Sequence, residues 1–94
     1  MPFPSQTPLP FTKAAIEVLN PNQNGVYGIF RQDCWIYVGR GDIRDRLLSH
    51  VAGNNPAITA QRPTHVVTMV TPNDEAIERQ LIIELTPVAN KKIG

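Results

Sequence analysis

Four residues in one short stretch carry side chains suited to proton transfer and anion binding: the phenols Tyr27 and Tyr37, the guanidinium of Arg46 and the imidazole of His50. None of these is an obvious choice for building a core. A fifth residue, Glu78, is more telling because of where its helix places it. On a helical wheel Ile77, Leu81, Leu85 and Ile82 fill an arc from about 100° to about 240°, and Glu78, at about 200°, lies inside it. An ionised carboxylate on a buried face is costly unless it is paired with a cation, strongly hydrogen-bonded or coordinated to a metal. An internal salt bridge to Arg44 or Arg46 would satisfy it, and so would a bound cation. Glu75 and Glu84 sit at the edges of the arc and need no partner.

The charge pattern bears on the same question. Nine Lys and Arg against eight Asp and Glu give a formal charge of only +1, which argues against a strong autonomous grip on nucleic acid. The distribution is uneven. Residues 40–62 carry Arg40, Arg44, Arg46 and Arg62 against Asp42 and Asp45, whereas residues 74–84 carry Asp74, Glu75, Glu78 and Glu84 against Arg79. A basic segment meeting an acidic one fits a phosphate-binding patch beside a cation-binding carboxylate, and a charge-balanced solvated surface gives the same counts.

The elements that must position these groups follow from periodicity. Residues 25–31 and 34–39 are β-branched and aromatic runs separated by Arg31-Gln32-Asp33, and they predict a β-hairpin. Register decides what the hairpin does. A loop with an odd number of residues, such as three, sets Tyr27 opposite Tyr37 on one face, whereas a two-residue loop puts them on opposite faces. The odd loop is expected, with Asp33 suited to a left-handed position. Asp42 then caps a helix from about 43 to 52, whose Ile43, Leu47, Leu48 and Val51 form a core-facing stripe. Arg46 and His50, four residues apart, are neighbours at one edge of that stripe. Arg44 projects inside it but belongs to the first turn, where it can escape to the periphery. Thr71-Pro72-Asn73-Asp74 predicts a second helix start, with Thr71 as cap and Pro72 at the first helical position, and this helix carries Glu78 to about Leu85.

The rest of the chain is support. Residues 1–10, with prolines at 2, 4, 8 and 10, predict an extended or poorly ordered arm. Thr12 caps an expected amphipathic helix over 11–20, with Phe11, Ala14, Ala15, Val18 and Leu19 on its apolar face. Residues 52–63 read as a loop, 64–70 as the third strand, and His65 within it as a structural histidine. Residues 11–94 make a single domain. The lone Cys34 excludes an intramolecular disulfide and a cysteine-rich zinc site. With no membrane-span run and no signal-peptide pattern, a cytoplasmic protein is expected.

Taken in order, Gly25-Val26-Tyr27, Tyr37-Val38-Gly39, Arg46, His50, Glu78 with Leu81-Ile82, Pro87 and Asn90 resemble the GIY-YIG nuclease family over residues 25–90. Each tripeptide alone is a weak signal, and the ordered set is far more specific. The resemblance implies an α/β (α+β) domain with a three-stranded, mainly antiparallel sheet flanked by helices. It implies that Tyr27 and Tyr37 line a site, with Tyr27 as general base toward water. Arg46 would hold the scissile phosphate within a substrate-binding set that includes Arg40 and Arg44, His50 would assist by hydrogen bonding or proton transfer, Glu78 would bind one Mg²⁺ or Mn²⁺, and Asn90 would orient or buttress the site. Val26 replaces the family's isoleucine, the turn from Tyr37 to Arg46 is about one residue tighter than in many relatives, and no separate DNA-binding module of the kind many relatives carry is expected within these residues.

The chemistry is coherent. Phosphodiester hydrolysis needs an activated water and neutralisation of charge on the phosphoryl oxygens. A free tyrosine, with a pKa of about 10, is a poor base near pH 7, and a neighbouring arginine and metal favour its phenolate. The expectation is a metal-dependent endonuclease acting on DNA, aided by a recruiting protein or a second copy. The alternative is a catalytically weak or inactive module of the same fold that binds nucleic acid or a protein.

Overall fold

The computed structural model describes residues 3–90. Residues 1, 2 and 91–94, the outer ends of the expected arm and domain, lie outside the described residues. The element order is β1 (Leu9–Pro10), α1 (Lys13–Ile16), β2 (Asn24–Arg31), β3 (Cys34–Asp42), α2 (Ile43–Val51), α3 (Pro56–Thr59), β4 (His65–Val70) and α4 (Asp74–Leu85). The architecture is α+β, with a four-stranded sheet of order β1-β4-β2-β3 in which every pairing is antiparallel.

Two layers cover the sheet. On one face Tyr27, Ile29, Ile36 and Val66 pack against Ile16, Ile43, Leu47 and Ile58 from the three shorter helices. On the other, Val26, Val38 and Val67 pack against Leu81 of α4 and against Phe3, with Ile77, Ile82 and Leu85 partly buried beside them. The alternation along β2 sends odd residues to the first layer and even residues to the second, as a strand buried on both faces requires. Among the described residues, no helix is long and apolar enough to cross a membrane.

The expected three strands are four because the arm takes part in the sheet. Leu9 and Pro10 pair with Val66 and His65, and Pro10 falls where a sheet tolerates it, on an edge strand. Upstream, the Gln6 carboxamide copies a strand. Its Nε2 donates to the Thr68 carbonyl at 2.8 Å and its Oε1 accepts from the Thr68 amide at 2.9 Å. Phe3, buried, stacks on Trp35 with ring centroids 5.7 Å apart. Proline excludes helix but does not prevent docking.

The expected helix over 11–20 is also shorter. Thr12 caps it, accepting from the Ala15 amide at 3.2 Å, but α1 ends at Ile16, after which Val18 and Leu19 reach back only three residues. One turn suffices to bury Ile16, and Val18 is left 72 % exposed. Within the expected 52–63 loop, Asn55 caps the short α3, which buries Ile58. The last helix begins at Asp74 rather than Pro72. Thr71 Oγ1 accepts from the Asn73 amide at 3.1 Å, so the threonine caps an entry turn and not the helix itself.

Candidate active site

The hairpin reaches the expected arrangement of tyrosines by a different route. Its loop has two residues, with Arg31 paired to Cys34, and it is Gln32, not Asp33, that takes a left-handed φ of 53°. That loop alone would send the tyrosines to opposite faces. A β-bulge intervenes, because Phe30 pairs with Trp35 while Ile29 pairs with Tyr37, which leaves Ile36 as an extra residue. The bulge resets the parity. Tyr27 therefore faces Gly39 across the strands, and Tyr37, opposite Ile29, lies diagonally from it on the same side. Their ring centroids are 6.3 Å apart.

Helix α2 completes this side. Asp42 Oδ1 accepts from the Asp45 amide at 3.2 Å, which fixes the helix start. Two turns later His50 meets both phenols, its ring 5.6 Å from Tyr27 and 5.2 Å from Tyr37 in an edge-on contact. Tyr27 Oη and His50 Nε2 share a hydrogen bond of 2.8 Å. Tyr27 is 0 % exposed and His50 7 %, whereas Tyr37 is half-buried. His50 Nδ1 is enclosed and has no hydrogen-bond partner among the described residues. A buried polar atom left unpaired costs about 1–3 kcal/mol, so packing alone gives no reason for a histidine there.

Electrostatics tie the charged candidates to the two phenols. Burial raises the Tyr27 pKa, the Tyr37 and Glu78 charges add to the rise, and Arg46 opposes it. Tyr37 is raised by burial and by Glu78, again against Arg46. Burial, then Arg46, push His50 down from 6.5 to about 4. Tyr27 and Tyr37 are thus neutral phenols and His50 a neutral imidazole near pH 7.

The depressed His50 value predicts a pH dependence of stability. The unfolded chain, with His50 near 6.5, takes up its proton first, so stability from neutral His50 is complete above about pH 6.5 and lost as pH falls toward 4. The slope is about 1.4 kcal/mol per pH unit for one proton. Urea melts from pH 7 to pH 4 on wild type and His50→Gln measure it, after subtracting the carboxylate titrations common to both. Equal slopes in the two proteins would remove His50 as the cause.

The three candidate phosphate-binding arginines separate. Arg46 is exposed, and its stem lies over Gly41, where an added Cβ would sit 3.5 Å from Cγ; among the described residues it has no ion-pair partner. Arg44 does not escape to the periphery. It is half-buried, with Nε enclosed and without a hydrogen-bond partner among the described residues. Arg40, opposite Val26 in the register, belongs to the face that α4 covers. Its Nη1 lies 3.2 Å from Asp74 Oδ2 and its Nε 3.4 Å from Glu78 Oε1.

Glu78 thus finds its cation on the adjacent strand and not in Arg44 or Arg46. Its side chain is 24 % exposed, and burial raises its pKa while Arg40 opposes the rise. Among the described residues no three His, Cys, Asp or Glu side chains cluster as a ready-made metal cage. The oxygen-only pair Glu78 and Asp74 fits a hard divalent ion that keeps most of its waters, such as Mg²⁺ or Mn²⁺.

Asn90 acts on the strand and not on the phenols. Its Oδ1 accepts from the Val38 amide at 2.7 Å and its Nδ2 donates to the Val38 carbonyl at 2.9 Å, between Tyr37 and Gly39. It braces β3 beside Tyr37. His65, exposed, stacks on Phe30 and pairs with Thr64 Oγ1, away from the phenols. Two residues that the sequence names only within an acidic segment and a tripeptide, with no role of their own, also touch these side chains. Asp74 is one; its spacing four before Glu78 was the available signal, but a first-turn acid is also ordinary helix capping. Gly39, over which Tyr27 packs, is the other. Comparison with known proteins finds no matching family model, no matching curated protein and no matching solved structure.

Proposed function

We propose that this chain is a divalent-metal-dependent endonuclease domain of the GIY-YIG type that nicks DNA. The observation that carries the reading is the buried Tyr27–His50 hydrogen bond, with the Tyr37 ring at its edge and Arg46, which has no carboxylate partner among the described residues, acting on both phenols. A polar pair with an orphaned nitrogen is a poor core element and a reasonable proton-handling one.

In this reading the two tyrosines divide the work differently from the assignment of Tyr27 as general base. Tyr27 is fully buried and its hydroxyl is engaged, so Tyr37, which reaches solvent, would first release its own proton to solvent, helped by the Arg46 charge, and as the phenolate take the proton of the attacking water. Tyr27 and His50 hold the Tyr37 ring in place, and His50, neutral near pH 7, can receive a proton. Arg46 binds a non-bridging phosphate oxygen pair through its planar fork. Glu78 holds the metal, which when bound supplies charge neutralisation on the phosphate. The small net charge favours action with a recruiting protein or a second copy, in the cytoplasm.

The test is incubation with supercoiled plasmid in Mg²⁺ or Mn²⁺, with EDTA and Glu78→Ala as controls. Nicked circles should form with wild type and be absent from both controls. Wild type that leaves the plasmid intact at high concentration, yet binds DNA with salt-sensitive affinity, would favour the non-catalytic module, a reading to which the complete burial of Tyr27 lends weight.

A further inference from the structure

The guanidinium of Arg40 spans two carboxylates that lie one helical turn apart. Asp74 and Glu78, at i and i+4, share one edge of α4, and Arg40 reaches both from β3, with Nη1 on one and Nε on the other. The three side chains differ in exposure: Arg40 43 %, Glu78 24 % and Asp74 13 %. The cation is thus the outermost member of the group, on the solvent side of the acids it neutralises. Arg46 and Arg44, by contrast, have no carboxylate partner among the described residues.

We propose that Arg40 is a built-in counter-ion that competes with the divalent metal for Glu78, so that metal binding requires Arg40 to swing away and frees its guanidinium for the substrate phosphate. This rests on the reading of Glu78 as the cation-binding carboxylate. The reasons are geometric and electrostatic. A guanidinium nitrogen 3.4 Å from Glu78 Oε1 occupies the space that a metal on that oxygen and its water shell need. Two cations held by the same carboxylates also repel. Without metal, Arg40 keeps two partly buried acids paired and the helix start attached to the sheet. With metal and substrate, the same side chain gains a phosphate partner at the moment it loses its carboxylates. Metal and substrate binding are then cooperative, because each favours the displaced position of Arg40.

The experiment measures Mn²⁺ binding by the electron paramagnetic resonance signal of the free ion, without DNA and independently of cleavage. Wild type is compared with Arg40→Gln, Arg40→Met, Glu78→Gln and Arg79→Gln, with thermal melts verifying that each folds. Exposed ion pairs are individually weak, so loss of the competitor should tighten Mn²⁺ binding by roughly fivefold. Both Arg40 variants should show this, Glu78→Gln should abolish binding, and Arg79→Gln, which removes a charge one residue from Glu78 without touching the pair, should change affinity by less than about twofold. Wild type that binds Mn²⁺ through Glu78 with no tightening in either Arg40 variant would overturn the competition while leaving the metal site standing. Equal tightening in Arg79→Gln would also overturn it, by assigning the effect to the general field. Absence of Mn²⁺ binding in wild type and both Arg40 variants would overturn the metal assignment and the competition together.

Discussion

Arg46→Ala is expected to lower plasmid nicking by roughly 10²- to 10³-fold, the loss typical of removing one transition-state charge contact, while leaving the melting temperature within about 2 °C of wild type, as for a surface substitution. The separation follows from its surroundings. Arg46 is exposed, has no ion-pair partner among the described residues and lays its stem over Gly41, so folding depends little on its charge. Yet that charge lowers the pKa of Tyr27 and Tyr37 and helps to depress His50. Removing it should therefore leave a second signature, a rise in the His50 pKa from about 4 toward 6.5, readable by NMR titration. Arg46→Lys keeps the point charge but not the two-pronged fork, and should fall between wild type and Arg46→Ala in nicking. A large drop in melting temperature, or undiminished cleavage by Arg46→Ala, would show that Arg46 serves structure and not phosphate.

What the sequence made legible, and what it did not, divides along a physical line. Local signals were reliable where one residue determines one local feature. Asp42 caps α2, the stripe through Ile43 and Leu47 faces the core, and Leu81 is buried on the face that also carries Glu78. Features that depend on two distant segments were not legible. The shared face of Tyr27 and Tyr37 was expected from an odd loop, but it results from a two-residue loop plus a bulge at Ile36. Both give the same parity, and a bulge in an apolar run leaves no compositional mark. The proline arm gave no hint of docking, because its attachment to the sheet combines the Leu9–Pro10 pairing with contacts of Gln6 and Phe3, and no local pattern marks any of these. Glu78 was correctly placed where a carboxylate needs a partner. Which arginine answers it is a matter of strand register: Arg40 opposes Val26 and so faces α4, whereas Arg46 lies on α2 on the other side of the sheet.

Gly39 links the site to the stability of the whole domain, and Gly39→Ala is expected to destabilise it by about 3 kcal/mol, at the upper end of overpacking costs in cores. A methyl group there would strike the Tyr27 hydroxyl and ring and come within 2.8 Å of Tyr37 Cε2. Little can give way, since Tyr27 is fully buried, is held by His50 and belongs to the larger core cluster. On the other side of the strand, Asn90 clamps the adjacent Val38, so β3 cannot easily bow outward. For a domain of this size the loss corresponds to a fall in melting temperature of roughly 15 °C. Tyr27→Phe provides the diagnostic background, because it deletes the atom nearest the new methyl group. There Gly39→Ala should cost about 1 kcal/mol less, a coupling of the size that double-mutant cycles find for touching residues. Additive losses in the double variant would mean that the methyl group meets something other than the Tyr27 hydroxyl. A melting temperature within about 3 °C of wild type for Gly39→Ala alone would mean that Tyr27 does not lie over Gly39, and the buried phenol–imidazole pair would then lose the packing that holds it in place.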